Sequence, residues 1–542
     1  MTAHLRFLYP FLFAILPLLN VLAWSPGWSS LSDIGLLIAL MLAACGVAYG
    51  IVALAGRGRW PALVVPLVVL MIIVWFYGIS DLSRLAHRAV PGMGSWVLVG
   101  AVAALTVGVV WWLARRPLVL GKATTFLALT GLLLAGWMVV QATVHGLRTR
   151  GIVENSSLAE RLAQPLARSH RVAAGGASPR RDVYLIVLDE YANGSVLRER
   201  FGFDNRAFED SLRQLGFTIP RVVRSNYVHT FLSIPSLLNF SYLTPLTDEV
   251  GVNETDPTLP NYLMENNRTE AFLKGRGYQF FFFPSQWWSS TQHNRNADRE
   301  YQVWNGFQPA REATRSDLRR WFVRTTALTA DFSYDADHVK RTLRALEQVP
   351  SVVQPTFAFA HILNPHTPYV FDADCRILKA RATRHRALGQ RDGYVGQVQC
   401  LNTLLLGLVT SLIQHPSPAP IILLLGDHGS NLLRYSSAKS AAAVTPAQAR
   451  ERFGAFGAFY LPEGGGRLFA DSITLVNVVP KVLNYYFDAG IPLAPDSLYM
   501  SLEGRPYLFA RVDPASLALP PSKTPGPPSA TTSAGTDGTR AP

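Results

Sequence analysis

Long apolar runs dominate the N-terminal part of the chain. They hold almost no charged residues and lie at 7–24, 34–55, 61–80, 95–114 and 123–145. Each is close to the ~20 residues that an α-helix needs to cross a bilayer. One such run could be a buried core helix, but five in succession predict a transmembrane domain over residues 1–146. No small-residue cleavage site follows the first run, so we do not expect a cleaved signal peptide.

The loops between these runs carry an uneven distribution of charge. One set of alternate loops holds Arg6, Arg57, Arg59, Arg115, Arg116 and Lys122. The opposite set holds Asp33, Asp81, Arg84 and Arg88. Because basic loops stay in the cytoplasm, this pattern places the N-terminus inside and, after an odd number of spans, the rest of the chain outside. We therefore expect a multi-pass protein of the bacterial inner membrane whose C-terminal domain is periplasmic or extracellular.

From Asp182 onward the pattern changes to short apolar strands that alternate with helices. The strands are predicted at 183–188, 278–283, 356–361 and 421–425, and a long helix at 394–413. Strands of this composition are buried on both faces, and their alternation with helices is typical of an α/β domain. The predicted fold is therefore a mostly parallel sheet between helices, preceded by five transmembrane helices.

Composition marks the boundaries of this α/β domain. We expect a connector at 147–181, with a helical pattern in 155–169, and the α/β domain at 182–510. The remainder, 511–542, is rich in Pro, Ser, Thr and Gly and is predicted to be disordered.

The overall composition agrees with a membrane protein. Only 16% of the residues are charged and 49% are hydrophobic, yet the net charge is +13. We expect no nucleic-acid partner. Cys45 lies in the second span, whereas Cys375 and Cys400 lie in the exported part. There they either form one disulfide or remain two unrelated buried thiols. The sequence has no Cys-x-x-Cys, so a thiolate zinc site is not supported.

Polar side chains follow three of the predicted strands. Asp189 comes after the first, His361 and His366 belong to the end of the third, and Asp427 with His428 follows the fourth. Any one of them could serve a local turn. Since parallel strands end at the same edge of a sheet, their convergence instead predicts a common site there. Carboxylates with imidazole suit a zinc- or manganese-like ion.

A candidate nucleophile lies in the segment SNYVHTFLSIPSLLNF, residues 225–240. Its polar start leads into Thr230 and then into an apolar, helix-like run. A hydroxyl at a helix N-terminus lies in positive potential, which favours its ionised form and a bound anion. Alternatively, Thr230 or Ser233 only caps that helix.

The order of these elements resembles the sulfatase-like branch of the alkaline phosphatase superfamily. The elements are a strand followed by Asp, a Thr near a helix start, His-x-Pro, and Asp-His-Gly. Together with the five-span anchor, they resemble bacterial phosphoethanolamine transferases and lipoteichoic acid synthases. The resemblance extends from the first span to about residue 510.

The resemblance implies roles for particular residues. Thr230 matches the nucleophile in Thr-x-x-Ser-x-Pro, His366 the substrate-facing histidine, and His361 the second histidine five residues earlier. One divalent ion, zinc or manganese with calcium as a further candidate, would be held by Asp189, Thr230, Asp427 and His428. Neither Glu190 nor Asn364 receives a role.

The implied activity is transfer of a phosphoethanolamine- or phosphoglycerol-type headgroup from a membrane lipid donor to an envelope lipid or glycan acceptor. It would proceed through a phospho-threonine intermediate in a monomer. Two alternatives are a membrane-bound sulfatase or phosphodiesterase that hydrolyses its substrate, and a non-catalytic domain that binds a glycan or partner. Two positions depart from the family patterns. Leu237 stands where the sulfatase motif has Arg, and Ser430 where lipid A transferases have Glu.

Overall fold

The computed structural model describes most of the chain outside the C-terminal tail. The described residues are 2–24, 31–89, 95–166, 180–285, 291, 293–302, 306–308, 322, 326, 337–378, 389–414, 418–469 and 471–517. The predicted disorder of 518–542 and the loop-like part of the connector at 167–179 lie outside these residues.

Five apolar helices form the N-terminal domain, as predicted. They are α1 Thr2–Trp24, α2 Leu31–Ala55, α3 Val64–Ala89, α4 Ser95–Ala114 and α5 Pro117–Glu154. Helix α1 packs against α2, α3 and α5, and α4 packs against α3 and α5. Large apolar side chains such as Leu105, Phe126, Leu133 and Trp137 are exposed on the outside of these helices. An apolar surface of this extent suits contact with lipid.

Length and apolar composition single out five spanning candidates among the described helices. These are Arg6–Ala23, Ile34–Ala55, Val97–Ala114, Pro117–Glu154 and Gln390–Gln414. The last belongs to the C-terminal domain, where Val398, Leu401 and Leu405 are buried in the core. It is therefore a core helix. Helix α3 has a shorter apolar part, Val64–Ile79, but packs as the remaining member of the N-terminal group.

Helix α5 continues without a break past the domain boundary that we expected at residue 146. It ends at Glu154, where Ile152 and Val153 pack on a buried cluster of the C-terminal domain. A second helix, Ser157–Ala163, lies within the predicted helical pattern, and the side chain of Ser156 caps it. The carboxylate of Glu249 accepts hydrogen bonds from Ser156 Oγ at 2.5 Å and from the Leu158 amide at 2.8 Å. Tertiary contacts thus extend the helix past residue 146 into the segment that we expected to be a connector.

In the described part of the chain, twelve strands form one large and two small sheets. Their bounds are β1 Val183–Leu188, β2 Phe217–Thr218, β3 Val222–Arg224, β4 Gln279–Phe283, β5 Arg299–Gln302, β6 Gly306–Gln308, β7 Thr356–Ile362, β8 Ile421–Gly426, β9 Gly457–Tyr460, β10 Ser472–Thr474, β11 Leu498–Leu502 and β12 Arg505–Val512. The large sheet has the order β2-β9-β8-β1-β7-β4-β5-β6. Its five central strands, β8 to β5, are parallel, and the pairs β2–β9, β8–β9 and β5–β6 are antiparallel.

Helices cover both faces of this sheet, which confirms the predicted fold class. In β1, Tyr184 and Ile186 face the layer that contains Gln390–Gln414, and Leu185 and Val187 face the opposite layer. The other described α-helices of this domain are Gly194–Val196, Arg206–Gln214, Thr230–Asn239, Leu246–Val250, Thr258–Glu265, Arg268–Lys274, Asp337–Leu346, Pro446–Phe453 and Val478–Phe487. The four predicted strands are all central ones.

Two further features settle questions that the sequence left open. Cys375 and Cys400 form a disulfide that ties the loop after β7 to the helix Gln390–Gln414. Residues 511–517, within the tail predicted to be disordered, are ordered, and Leu517 is buried and accepts a hydrogen bond from Arg450 at 3.2 Å. Pairing in β12 and this contact explain why the prediction was wrong for 511–517.

Candidate active site and metal centre

The register of the sheet brings two acidic residues to the same point. Strand β1 lies between β7 and β8, and Leu188 is level with Ile362 on one side and Gly426 on the other. The next residues along β1 and β8 are Asp189 and Asp427, so both leave the sheet at its carboxyl edge. The Asp189 amide also donates to Ile362 O at 2.9 Å, which extends the pairing by one residue.

Asp189, Asp427 and His428 form a compact group of metal-ligand type. One ligand atom from each lies within 4.8 Å of the others. His428 Nε2 is 3.1 Å from Asp427 Oδ2 and 3.9 Å from Asp189 Oδ1. Those two carboxylate oxygens are buried and have no hydrogen-bond donor within the described part of the chain. Buried polar atoms are normally satisfied, and a cation at this point would satisfy both.

Backbone contacts aim the ligand atoms at this group. Asp427 Oδ1 accepts from the amides of Glu190 at 3.1 Å and His428 at 2.9 Å, which leaves Oδ2 facing Asp189. His428 Nδ1 lies 3.2 Å from Gly429 O, so this nitrogen carries the proton and donates it to the carbonyl. The other ring nitrogen, Nε2, is then unprotonated and offers a lone pair, as metal-binding histidines do.

The electrostatics of the group also favour a cation. Burial, followed by the charge of Asp427, raises the pKa of Asp189 well above its ordinary value. Burial raises the pKa of Asp427 to about 6. Burial and the nearby charge of Arg452 lower the pKa of His428 well below its ordinary value. The group contains two carboxylates and a neutral imidazole, so none of its three members carries a positive charge. A bound cation would supply that charge, and carboxylate oxygen and imidazole nitrogen are donors that suit zinc or manganese.

Thr230 is the first residue of the helix Thr230–Asn239 and points its hydroxyl at the same group. Its Oγ1 lies 3.2 Å from His428 Nε2 and is only part-buried. The N-cap position belongs to His229, and among the described residues no side chain caps this helix by a hydrogen bond. The alternative that Thr230 merely caps the helix therefore does not describe this structure. The hydroxyl lies at the positive end of the helix dipole.

Ser233, one turn later, has a different environment. It is buried, and its Oγ donates to the carbonyl oxygen of Asp427 at 2.6 Å. It does not cap the helix either. This hydrogen bond ties the Thr230 helix to the loop that carries Asp427 and His428.

The two predicted histidines both contact Asp189, from different sides. His361 is buried, with Nε2 at 3.7 Å from Asp189 Oδ2 and Nδ1 at 2.5 Å from Thr291 Oγ1. Burial lowers its pKa to about 3, so it is neutral near pH 7. His366 is half-buried, its amide donates to Asp189 O at 3.1 Å, and its Nδ1 lies 2.6 Å from Thr367 O. Of the two, His366 is the one that can reach solvent or a substrate.

Sequence reasoning missed Arg452, which is buried in this site. The residue lies near the end of the helix Pro446–Phe453. Its Nη2 is 3.2 Å from His428 Nε2, and its Nη1 donates to Glu190 Oε1 at 2.5 Å. The segment QARERF around it is typical of a solvated helix face, so no local signal marks this arginine as internal.

The neighbouring Glu451 was missed as well. It holds the loop after His428 in place by accepting from Ser430 Oγ at 2.8 Å and from the amides of Leu432 at 2.5 Å and Leu433 at 3.0 Å. A Cβ on Gly429 would lie only 2.0 Å from Glu451 O. The glycine of Asp-His-Gly is thus required by close backbone packing, and Ser430 has a structural partner of its own.

Comparison with known proteins gives a distant structural likeness. No protein-family model matches the sequence, and no curated protein matches it. The C-terminal periplasmic domain of EptC from Escherichia coli, in complex with Zn, is similar at 13% identity and a TM-score of 0.42, over 63% of this chain and 94% of that one. The integral membrane lipooligosaccharide phosphoethanolamine transferase EptA from Neisseria meningitidis is similar at 12% identity and a TM-score of 0.38, over 89% and 95%.

A third similar structure is yidJ from Bacteroides fragilis, which is described as a sulfatase. The identity is 14% and the TM-score 0.37, over 59% of this chain and 77% of that one. The fold and the site described above follow from this chain's own residues.

Proposed function

We propose that this protein is a membrane-anchored, metal-dependent transferase. It moves a phosphoethanolamine- or phosphoglycerol-type headgroup from a lipid donor to an envelope lipid or glycan acceptor, through a phospho-threonine on Thr230. The observation that carries the proposal is the Thr230 hydroxyl, which lies at a helix N-terminus and 3.2 Å from His428 Nε2 within a buried Asp, Asp and His group.

Asp189, Asp427 and His428, with the Thr230 hydroxyl, would hold one divalent ion, for which zinc or manganese is the best match and calcium a further candidate. Such an ion lowers the pKa of a bound hydroxyl and neutralises charge on a phosphoryl group. A single chain supplies all of these residues, in keeping with a monomer.

The chain's own groups account for the transfer. Thr230 Oγ1 attacks the phosphorus of the lipid headgroup, and its proton passes to solvent. The bond between phosphorus and the lipid oxygen breaks, and His366, which is half-buried, would protonate that oxygen. His361 is buried against Asp189 and orients it. The oxygen of an acceptor hydroxyl then attacks the phosphorus of the phospho-threonine and loses its proton to solvent. The bond between phosphorus and Thr230 Oγ1 breaks, and Oγ1 takes a proton from solvent, which restores the hydroxyl.

Two observations favour phosphoryl transfer over a sulfatase reaction. Sulfatases mature a Cys or Ser to formylglycine, but the side chain that faces the metal group here is a threonine. Ser233, the serine one turn after Thr230, is buried and donates to Asp427 O. A lipid donor is supported by α5, which runs from the membrane domain into contact with the domain that carries the site.

Mass spectrometry with the full-length protein in defined vesicles tests the proposal. Incubation with zinc and phosphatidylethanolamine or phosphatidylglycerol should leave a headgroup phosphate on the peptide that contains Thr230. Addition of envelope lipids and glycans should yield a modified acceptor. Free headgroup as the only product would indicate a hydrolase. A protein that binds no metal and gains no phosphate would be a binding domain instead.

A further inference from the structure

We infer that Arg452 is a catalytic residue that binds the oxygens of the transferred phosphoryl group, and that Glu190 is its buried counter-ion and not a metal ligand. The inference rests on the proposed function. It concerns the two buried charged residues of the site that the sequence patterns leave without a role.

The hydrogen bonds of Arg452 leave one end of its guanidinium for the site. A guanidinium has five N–H donors. Nε donates to Val228 O at 2.9 Å, and Nη1 donates to Glu190 Oε1 at 2.5 Å and to Gly429 O at 2.9 Å. These bonds use three donors and fix the plane of the group. These bonds, all to described residues, do not use the two donors of Nη2, and the ring centroid of Tyr435 lies 5.1 Å from Cζ.

Nη2 points at the place where the reaction would occur. It lies 3.2 Å from His428 Nε2, the same atom that is 3.2 Å from the Thr230 hydroxyl. When a metal uses the lone pair of His428 Nε2, the Nη2 donors lose that acceptor. A buried cationic donor without an acceptor is unfavourable. Phosphoryl oxygens bound beside Thr230 would replace it, and a fixed guanidinium matches their geometry.

The carboxylate of Glu190 binds Arg452 and is not a member of the Asp189, Asp427 and His428 group. Its backbone adopts a left-handed conformation, with φ of 63°, which is uncommon for a residue other than glycine. In this conformation its amide donates to Asp427 Oδ1 at 3.1 Å, while its carboxylate binds Arg452. Tyr394 Oη donates to Glu190 O at 2.6 Å and holds the backbone in place. The strain is consistent with a residue that has a positional role.

Binding of inorganic phosphate to the zinc-loaded, full-length protein in detergent tests this inference. The variants are Arg452→Lys, which keeps a positive charge beside Glu190, and the pair Arg452→Gln with Glu190→Gln, which leaves no buried charge unpaired. The control is Arg450→Gln, two residues earlier on the same helix, where the side chain binds Leu517 O and Glu199. Calorimetry gives the affinity for phosphate, and elemental analysis gives the zinc content.

We expect Arg452→Lys, the double variant and the control Arg450→Gln all to keep their zinc. The single variant Glu190→Gln should keep it as well. Both Arg452 variants should bind phosphate about tenfold to a hundredfold more weakly, because a charge-assisted pair of hydrogen bonds is lost. Arg450→Gln should bind it like the wild type. Wild-type phosphate affinity in zinc-loaded Arg452→Lys and in the double variant would overturn the role of Arg452. Loss of zinc in Glu190→Gln would overturn the role of Glu190.

This test is separate from the test of the proposed function. Phosphate binding needs the metal and Arg452 but no chemistry at Thr230. If the wild type binds phosphate through Arg452 yet never gains a phosphate on Thr230, the transferase mechanism is wrong and the anion site stands.

Discussion

The hydroxyl oxygen of Thr230 lies 3.2 Å from Nε2 of His428, although the two residues are 198 positions apart in the sequence. One begins a helix and the other follows strand β8. The hydrogen bond from Ser233 Oγ to Asp427 O, at 2.6 Å, joins these two elements one turn further along the helix. The Thr230 hydroxyl therefore lies beside the group formed by Asp189, Asp427 and His428. The Ser233 hydroxyl holds the helix at a fixed distance from the loop that carries Asp427 and His428.

Replacement of Thr230 by alanine should lower turnover at least about a thousandfold, since the proposed nucleophile is lost. It should also abolish the phosphopeptide, while zinc is retained by Asp189, Asp427 and His428. Thr230→Ser should retain part of the activity, because a hydroxyl remains. Phosphopeptide mapping and elemental analysis provide the measurements.

Ser233→Ala is the matched comparison. We expect it to lower the free energy of unfolding by about 1–3 kcal/mol, because the buried Asp427 carbonyl loses its donor. Its activity should fall much less than that of Thr230→Ala. A phosphate found on Ser233, or full activity in Thr230→Ala, would refute the assignment of the nucleophile.

The pair of substitutions Asp427→Asn and His428→Ala should remove bound metal and leave the membrane helices folded. The charge of one ligand and the imidazole of the other, both just after β8, are lost, whereas α1 to α5 pack through their own apolar surfaces. Asp182→Asn is the control. Asp182 is also acidic, but it lies just before β1, at the opposite edge of the sheet, where its carboxylate accepts a hydrogen bond from the Thr356 amide at 2.8 Å. Zinc content after purification is the measurement. Stoichiometric zinc in the double variant would place the metal elsewhere.

The stabilising effect of zinc should depend on pH. The folded-state pKa of Asp427 is raised by burial to about 6, and that of Asp189 is raised as well, so protons compete with the metal as the pH falls. The increase in melting temperature with saturating zinc should therefore be larger at pH 7.5 than at pH 5.5.

The metal-free protein should show the opposite trend. A carboxyl group with a raised folded-state pKa is easier to ionise in the unfolded chain, so the contribution of Asp427 to stability falls as the pH rises from about 4 towards 6. Thermal unfolding of zinc-loaded and chelator-treated protein across this range measures both trends. Parallel curves would show that the two carboxylates do not bind the metal.

The sequence predicts the parts of this molecule whose signal is local. Strands β1, β4, β7 and β8 are continuous apolar runs because they are buried on both faces. Asp189 directly follows β1, and Asp427 directly follows β8. The short strands at the sheet edges, such as β2 with two residues, are too short to produce a pattern. The extension of α5 to Glu154 also depends on packing that only the folded chain reveals.

Some residues of the site also have a local sequence signal, and others do not. Residues directly after a strand or at a helix start can be predicted because sheet topology brings those positions together. Arg452 and Glu451 cannot, because they reach the site from a polar helix whose burial depends on the surrounding tertiary structure. The position of Glu190 directly after Asp189 can be read from the sequence. Its contact with Arg452 cannot, because it depends on the left-handed backbone conformation of Glu190.

Gly429→Ala should destabilise the C-terminal domain and weaken metal binding. A methyl group there would lie 2.0 Å from Glu451 O and 2.8 Å from Gly454 O, so the backbone next to His428 would have to move. Gly407→Ala is the control, since Gly407 lies in the helix Gln390–Gln414 with nothing within 4 Å of an added Cβ. In that helix the change should stabilise by about 0.5–1 kcal/mol. Equal stability of the two variants would contradict the packing argument.

The membrane orientation gives a prediction that needs no purified protein. Arg115 lies 3.8 Å from the ring centroid of Trp111, and Arg116 lies 4.9 Å from that of Trp112, at the C-terminal end of α4. Aromatic and basic side chains together are typical of a membrane interface, and basic residues favour its cytoplasmic side.

Arg57 and Arg59 follow α2, which ends on the same side as α4 if the helices cross alternately. An enzyme reporter that is active only in the periplasm should therefore be silent when fused after Arg59 and active when fused after residue 170. A cytoplasm-only reporter at the same two positions should show the reverse pattern. Activity of the periplasmic reporter after Arg59, with silence after residue 170, would invert the topology. The site would then face the cytoplasm, where envelope acceptors beyond the inner membrane are out of reach, and the proposed acceptor class would have to be abandoned.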